Sequence, residues 1–398
     1  MMRILYAWSG EYPIGEFYKD GDYIGFSYVN NPVMAISASM VPNSKWSWKA
    51  PRNFLENLLP ETYQDRKTMA LRLGARSSGV FDLLDSVDSS GGLVYSEYSG
   101  SPYTEGNSEQ IYADEKEIES SLNALAASNA KTVSTIKGAR YSIAGMQPKV
   151  TLSYARGTWS WPSIQNPSTH ILKLDMGNAR SESHYAVATQ RLASQCGIDT
   201  PRSGILRFGN TEAYVTERFD RYVDNTGQVR RLHTEDFAQM LGRSYRDKYE
   251  VSIYAILKKL RTLQPYAAED LQEAFLKQLM FNCCVGNADA HAKNYSILYT
   301  PAGIRVAPIY DVVPTVIWGF KELAMKVATV HHSAELSPRI WQLFARRNGL
   351  PEEETVSKAV AMSNAVRENF AEAFGSLPKD QLNTAWEAIS YANSNMWK

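Results

Sequence analysis

The chain has 398 residues, of which 44% are hydrophobic and 21% charged, a composition typical of globular proteins with two or three domains. Basic and acidic residues are equal in number, at 42 each, so net charge favours neither nucleic acid nor an acidic partner. Two of the three cysteines, Cys283 and Cys284, are adjacent, which excludes a disulfide framework. No secretion signal or bilayer-spanning stretch stands out, so we expect a cytoplasmic protein without a membrane partner.

The first 100 residues predict a small α+β domain without a catalytic motif. Residues 23–29 and 33–36 are predicted strands around an Asn-Asn-Pro turn. Residues 54–61 predict a short amphipathic helix, and a second helix begins at Phe81 and ends at the Ser-Ser-Gly-Gly of residues 89–92.

A Ser-, Gly- and Tyr-rich segment over residues 96–108 predicts a linker, and residues 111–125 predict a helix. Residues 141–152 then predict a strand, a glycine turn and a strand. This is the form of a lid over phosphates, although it is not a Walker loop, and an ordinary β-hairpin is the alternative interpretation.

Two further strands carry charge. The strand over residues 169–174 places Lys173 among apolar residues, where a lysine needs an anionic partner or an exit to solvent. It could pair with the phosphates of ATP, or it could be an edge-strand lysine that reaches water. The strand over residues 214–221 runs into charged residues, which suits either a hinge beside an adenine or a surface charge cluster. Between them, residues 183–196 predict a helix that ends at Gly197.

From Thr234 onward the pattern becomes helical, and one helix leads into the most informative stretch of the chain. Apolar residues recur every fourth position along this helix, which Gly286 ends: Leu271, Phe275, Leu279 and Cys283. Asp289 and Asn294 follow, then a hairpin over residues 297–306, then Asp311. We expect the hairpin to bring the three polar groups together. One carboxylate for an acceptor hydroxyl, with an amide and a second carboxylate for Mg²⁺, is the layout that phosphotransfer needs.

Other chemistries are poorly supported. The adjacent pairs His331-His332 and Cys283-Cys284 lack the spacing of metal ligands, and no H-E-x-x-H motif occurs. No basic helix indicates DNA binding by this chain alone. After residue 311 the chain is predicted to be helical, with a core face formed by Val356, Val360, Ser363, Val366, Phe370 and Phe374.

The motifs in this order resemble those of the HipA family of serine/threonine kinases, the toxins of bacterial toxin–antitoxin modules. Residues 142–149 resemble the family's S-x-A-G-x-Q-x-K phosphate loop, and residues 169–173 its T-H-I-x-K strand. Residues 217–221 resemble its hinge, residues 286–296 its catalytic loop, and residues 308–311 its metal-binding turn.

The resemblance implies an α+β, protein-kinase-like two-lobed fold, with a β-rich N-lobe and a helical C-lobe, and a small additional N-terminal α+β domain. The implied domains are residues 1–100 for the N-terminal HipA-type domain, 101–235 for the kinase N-lobe, and 236–398 for the kinase C-lobe.

The resemblance also implies roles for individual residues. Asp289 would be the catalytic residue, either the general base or the carboxylate that orients the acceptor hydroxyl. Asn294 and Asp311 would bind Mg²⁺, and Ser142 would be an autophosphorylation site whose phosphate switches the enzyme off. The residues implied to bind ATP are Ala144, Gly145, Met146, Gln147, Pro148, Lys149, Lys173, Glu217, Arg218, Phe219, Gln239, His291, Ala292, Lys293, Asn294, Tyr310 and Asp311. For His291, a purely structural hydrogen-bonding role is an open alternative.

The implied activity is transfer of the ATP γ-phosphate to a protein serine or threonine, which would inhibit translation and growth. By the same analogy the target would be an aminoacyl-tRNA synthetase such as glutamyl-tRNA synthetase. The implied partner is a HipB-like helix-turn-helix antitoxin, with DNA bound only through that complex. The alternatives are a catalytically weak corepressor that acts with an antitoxin, and a nucleotidyl transferase.

Two positions depart from the family pattern. Ala290 stands where the catalytic loop usually has glycine, which limits backbone freedom. Ala186 stands where the helix after Lys173 often carries the acid that pairs with the lysine. Glu182 is one candidate for that acid, and the partner of the lysine stays open.

Overall fold

A computed structural model describes residues 2–103, 110–126, 149–175 and 181–397. The chain forms two compact units, the first made of Met1–Ala179, Gly204–Tyr245 and Leu298–Thr300, and the second of Arg180–Ser203, Arg246–Ile297 and Pro301–Lys398. Among the described residues, no helix combines the length and apolar character that a membrane span requires.

The N-terminal part of the first unit is a four-stranded antiparallel sheet with three helices. The strands run in the order β3-β2-β1-β4, and they are β1 (Arg3–Ser9), β2 (Tyr12–Asp20), β3 (Tyr23–Tyr28) and β4 (Leu93–Ser96). The helices are α1 (Ala50–Glu56), α2 (Tyr63–Leu73) and α3 (Val80–Leu84). Their apolar faces enclose one core, in which Phe17, Phe54 and Tyr95 are almost completely buried.

The rest of the first unit is built on a five-stranded sheet in the order β6-β5-β7-β9-β8. Its strands are β5 (Lys149–Ala155), β6 (Thr158–Ser160), β7 (His170–Lys173), β8 (Ser203–Phe208) and β9 (Thr211–Glu217). The elements beside it are α4 (Glu115–Ala126), β10 (Arg221–Val223), β11 (Val229–Arg231), β12 (His233–Asp236) and α6 (Phe237–Met240). A second core, around Leu152, Leu172 and Val215, packs on this sheet.

The second unit is mainly helical. Its helices are α5 (Glu182–Gln195), α7 (Ile253–Leu263), α8 (Ala268–Val285), α9 (Pro338–Asn348), α10 (Glu352–Phe374) and α11 (Lys379–Ala392). Its strands are β14 (Gly303–Val306), β15 (Glu322–Val327) and β16 (Val330–His332). Strand β13 (Ser296–Thr300) is divided between the units, because its residues Leu298–Thr300 belong to the first. Helix α8 contacts α7, α10 and α11, and its predicted apolar face is buried as expected.

The predicted α+β class is confirmed, and several predicted elements are confirmed with it. They are the strand at 23–29, the helix from 81, the strand at 169–174, the helix ending at Gly197, the helix ending at Gly286 and the hairpin after Asn294. The division into residues 1–100, 101–235 and 236–398 stays a prediction.

Other element predictions are wrong. Residues 33–36 form bends instead of a strand, and the helix predicted at 54–61 spans Ala50–Glu56 because Pro51 starts its first turn. Residues His233–Asp236 form a strand before the helical part begins, and residues 322–332 form a hairpin within the predicted helical remainder. Strands β1 and β2 and helix α2 were not anticipated.

A buried cluster of five charged side chains lies within the first unit. Asp88 is completely buried, and its Oδ1 accepts hydrogen bonds from Arg221 Nη2 at 3.0 Å and Arg231 Nη2 at 2.9 Å. Arg218 Nη2 donates to Asp220 Oδ2 at 2.7 Å and lies beside Asp88. Burial alone would disfavour the ionised carboxylates, but the arginines outweigh it and hold the pKa of Asp88 well below its usual range.

The cluster also fixes backbone. Ser168 donates to Asp88 Oδ2 through both its hydroxyl, at 2.6 Å, and its N–H, at 3.0 Å. Gly91 N donates to Asp220 Oδ2 at 2.7 Å. The segment after α3 is therefore joined to the ends of β9 and β11 by charge-assisted hydrogen bonds in a dry interior.

Replacement of Asp88 by asparagine should destabilise the full-length protein by about 3–5 kcal/mol, because three buried arginines then lose a carboxylate. Thermal and urea unfolding of the variant measure this loss. Asp20→Asn removes one carboxylate from an exposed strand end and is the matched control, for which only a small change is expected. Equal stability of the two variants would contradict the account of the cluster.

The same cluster predicts a loss of stability in acid. The arginines lower the pKa of Asp220 to about 2 against the opposing effect of burial, and the pKa of Asp88 is also lowered. Because both values lie below the unfolded value of about 3.9, the stabilisation is complete above that pH and is lost as the pH falls toward 2. Unfolding midpoints measured from pH 5 to pH 2.5 should fall less steeply for Asp88→Asn than for the wild type.

Candidate active site

The catalytic loop begins where α8 ends, at a glycine with a left-handed backbone. Gly286 has φ 69°, and a Cβ at this position would lie 2.5 Å from Cγ1 of Val316. The backbone N–H of Val316 donates to the carbonyl oxygen of Gly286 at 3.1 Å. Both the conformation and the close approach therefore require glycine at this turn.

The loop is closed by hydrogen bonds onto one carbonyl oxygen. Nδ2 of Asn294 donates to the carbonyl oxygen of Asp289 at 2.8 Å, and the N–H of His291 donates to the same atom at 2.7 Å. The N–H of Asn294 donates to the carbonyl oxygen of His291 at 2.8 Å, within the helical turn Ala292–Asn294. The structure thus brings the Asp and the Asn of the predicted motif together.

The carboxyl group of Asp289 is partly accessible and interacts with several groups. Its side chain is 55% exposed, and Oδ1 accepts a hydrogen bond from the Tyr249 hydroxyl at 2.5 Å. Burial among protein atoms raises the pKa of this carboxyl, and the charge of Asp311 adds to the rise. The hydrogen bond from Tyr249 and the charge of Lys248 lower the pKa, but they do not cancel the rise. A carboxylate that has a raised pKa and reaches solvent is suited to accept a proton.

The base of the β13–β14 hairpin holds the second predicted carboxylate. The hydroxyl of Tyr310 donates to the carbonyl oxygen of Lys293 at 2.7 Å and lies 2.7 Å from Oγ of Ser296. Asp311 follows at once, exposed and with φ 54°, a left-handed conformation that is uncommon for aspartate and is often found at functional sites. The charge of Asp311 contributes to the raised pKa of Asp289, and the convergence of these carboxylates on one metal site stays a prediction.

The donor set suits a hard cation. Because Nδ2 of Asn294 donates a hydrogen bond to a carbonyl oxygen, its Oδ1 is the atom that could bind a metal ion, and Asp311 would add a carboxylate. Oxygen donors of this kind, completed by phosphates and water, suit Mg²⁺. Within the described ranges, no group of three or more His, Cys, Asp or Glu side chains is placed so that it could hold a metal ion.

In the first unit, two lysines lie opposite each other on adjacent strands. Lys173 on β7 is paired with Lys149 on β5 and with Tyr214 on β9. Side chains directly opposite in an antiparallel pair share a face, and like charges there repel unless an anion lies near both. This pairing is favourable for phosphate binding.

Among the predicted hinge residues, Arg218 makes structural contacts within the first unit. The N–H of Arg218 donates to the carbonyl oxygen of Thr169 at 2.8 Å, and its guanidinium is buried in the ion cluster. Contact of Glu217 and Phe219 with adenine stays a prediction.

Gln239 is occupied by structural hydrogen bonds. It completes a capping box with Asp236 at the start of α6, and its Nε2 donates to the carbonyl oxygen of Phe54 at 3.1 Å. These contacts give no support to the predicted nucleotide contact. The predicted phosphate-loop residues Ser142, Ala144, Gly145, Met146, Gln147 and Pro148 lie outside the described residues.

Sequence reasoning missed two residues beside Asp289. Lys248 and Tyr249 are about forty positions earlier in the chain, in a turn before α7. The carbonyl oxygen of Lys248 accepts from the N–H of Ala292 at 3.2 Å. No motif spacing links this turn to the catalytic loop, so only the tertiary structure reveals it.

Comparison with known proteins decides the family. Residues 5–91 match the model of the HipA N-terminal domain, and residues 141–373 match that of the HipA-like C-terminal domain. The chain belongs to the HipA family. The buried ion cluster joins the two matched regions, because Asp88 lies in the first and its arginine partners lie in the second.

The relatives of this HipA-family chain include named kinases. The putative kinase Y4mE of Sinorhizobium fredii is 33% identical over 372 residues, which covers 88% of this chain and 86% of the relative. The serine/threonine-protein kinase toxin HipA of Shewanella oneidensis is 30% identical over 264 residues, covering 60% of this chain and 58% of that protein. These matches support a kinase.

A solved structure has the same fold. HipA from Shewanella oneidensis, in a complex of that protein with HipB and operator DNA, matches 98% of this chain and 96% of its own. The TM-score is 0.81 and the sequence identity 24%. The predicted α+β, protein-kinase-like fold is therefore confirmed.

Substitution of Gly286 by alanine should destabilise the protein by more than the ~1–2 kcal/mol of a left-handed residue, since Val316 must also move. Gly349→Ala is the matched control, because Gly349 also has a left-handed φ, 64°, but its added Cβ would be 3.9 Å from the nearest atom. Urea unfolding should show the greater loss for Gly286→Ala. Equal losses would mean that the contact with Val316 is unimportant.

Proposed function

We propose that this HipA-family chain is an ATP-dependent serine/threonine protein kinase toxin. The observation that carries the proposal is the closed catalytic loop, in which Asp289 and Asn294 are joined by a hydrogen bond and the charge of Asp311 acts on Asp289. An acceptor-directed carboxylate beside an amide and a second carboxylate is the arrangement that phosphoryl transfer to a hydroxyl requires.

In the proposed reaction, Asp289 orients the acceptor hydroxyl and accepts its proton. The acceptor oxygen forms a bond to the γ-phosphorus of ATP, the bond to the bridging oxygen breaks, and ADP leaves. Asn294 and Asp311 would hold Mg²⁺, and the bound ion would neutralise part of the negative charge of the phosphates. His291, Ala292, Lys293 and Tyr310 would line the phosphate side of this loop.

The cross-strand lysines support the ATP site. Lys149 and Lys173 are paired across adjacent strands and lie on one face of the sheet, so a polyphosphate bound on that face could contact both. Residues 144–148 would form the lid over the phosphates, and Glu217 to Phe219 would contact the adenine.

The substrate, partner and regulation are proposed by family analogy. The target would be an aminoacyl-tRNA synthetase, such as glutamyl-tRNA synthetase, whose phosphorylation in the cytoplasm would inhibit translation and growth. The partner would be a HipB-like antitoxin, with DNA bound only through that complex; the Shewanella structure contains HipA, HipB and operator DNA. Phosphorylation of Ser142 would add nearly two negative charges to the phosphate loop and so repel ATP.

Labelled ATP tests the proposal. Full-length protein incubated with ATP labelled at the γ- or, separately, the α-phosphate should incorporate only the γ-label into protein. The label should be lost in Asp289→Asn and in Asp311→Asn, with Asp20→Asn as an exposed control that retains it. Incorporation is measured by gel autoradiography and phosphosite mapping.

Other outcomes would contradict the proposal. Incorporation of the α-label indicates nucleotidyl transfer, and no label together with tight assembly on DNA with an antitoxin indicates a corepressor. Stoichiometric phosphorylation of Ser142 without loss of activity would reject the proposed self-inhibition.

A further inference from the structure

Tyr249 contacts Asp289, the proposed catalytic base, although no sequence motif includes this tyrosine. Its hydroxyl donates to Oδ1 of Asp289 at 2.5 Å, and its side chain is half exposed. The residue belongs to a turn that precedes α7, a helix whose N-cap residue Ser252 accepts a hydrogen bond from the N–H of Ala255.

This turn is attached to the catalytic loop at a second point. The N–H of Ala292 donates to the carbonyl oxygen of Lys248 at 3.2 Å, and the N–H of Glu250 closes the turn on the carbonyl oxygen of Asp247 at 2.8 Å. The Tyr249 ring meets the His291 ring edge-on, with centroids 5.0 Å apart and an interplanar angle of 83°. Backbone and ring contacts therefore set the direction of the hydroxyl.

We propose that Tyr249 is a positioning residue that holds Oδ1 of Asp289, so that Oδ2 takes up the proton of the acceptor hydroxyl. The inference rests on the proposed function and deepens it. A carboxylate on a loop rotates readily about its terminal bond, and one strong hydrogen bond to a fixed donor removes that freedom. Small errors in the placement of a base lower the rate of proton transfer.

Slow hydrolysis of ATP reports on this geometry without a known protein target. Water replaces the acceptor hydroxyl: its oxygen bonds to the γ-phosphorus and its proton passes to Oδ2 of Asp289. The bond from the γ-phosphorus to the bridging oxygen breaks, and ADP and inorganic phosphate leave. Release of ADP from full-length protein with Mg-ATP alone is therefore a direct readout.

Tyr249→Phe should lower kcat for ADP release by about tenfold, the effect of losing a hydrogen bond to a charged group, and leave KM for ATP unchanged. Tyr254→Phe is the matched control, because Tyr254 is a comparably exposed tyrosine in the first turn of α7. It should retain wild-type turnover. In the Asp289→Asn background, Tyr249→Phe should have no further effect, since both act through one carboxylate.

Two kinetic outcomes would overturn the inference. Equal or faster turnover in Tyr249→Phe would show that the hydroxyl does not assist the base. A further tenfold loss in the double variant would show that Tyr249 acts independently of Asp289.

A second measurement separates this inference from the proposed function. In protein with ¹³C-labelled tyrosine rings, the NMR signal lost in Tyr249→Phe identifies Tyr249. Asp289→Asn should shift this signal and leave that of Tyr254 in place, and an unshifted signal overturns the inference whatever the turnover. If the wild-type protein shows no ATP turnover, or turnover that Asp289→Asn does not lower, the proposed function is rejected instead. The NMR experiment would then still show whether Tyr249 contacts Asp289.

Discussion

The hydrogen bond from Nδ2 of Asn294 to the carbonyl oxygen of Asp289 is the interaction on which the site depends. It fixes the separation of the two motif residues, and it orients the amide so that its oxygen can serve as a ligand. Two neighbouring features support it: Gly286 ends α8 with a left-handed backbone, and the Tyr310 hydroxyl donates to the carbonyl oxygen of Lys293, next to Asn294. Local backbone geometry thus defines the chemistry of the loop.

Much of this was predictable because it is local in sequence. The buried face and glycine end of α8 follow from helical periodicity, and the hairpin follows from its Pro and Gly turn, so the convergence of Asp289 with Asn294 could be anticipated. The pairing of Lys173 was harder to foresee, because strand register decides which residue lies opposite it.

The remainder depends on tertiary contacts that no short motif encodes. Arg218 looks like a hinge residue in sequence, yet its guanidinium pairs with two buried carboxylates. One is Asp88, which is distant in sequence, and the other is Asp220, which lies just after the end of β9. Gln239 looks like a nucleotide ligand, yet its position three residues after Asp236 makes it a helix cap. Tyr249 has no sequence signal at all, because its relation to Asp289 arises from the packing of a turn on the loop.

The buried ion cluster has a consequence for the evolution of the chain. Asp88 belongs to the N-terminal family region, whereas the arginines that surround it belong to the C-terminal one. Arg221 and Arg231 would lose their ion pairs with Asp88 in a chain without the first region. A recombinant that exchanges the first region for that of a relative must therefore supply a carboxylate at this position, or leave a buried guanidinium cluster without part of its counter-charge.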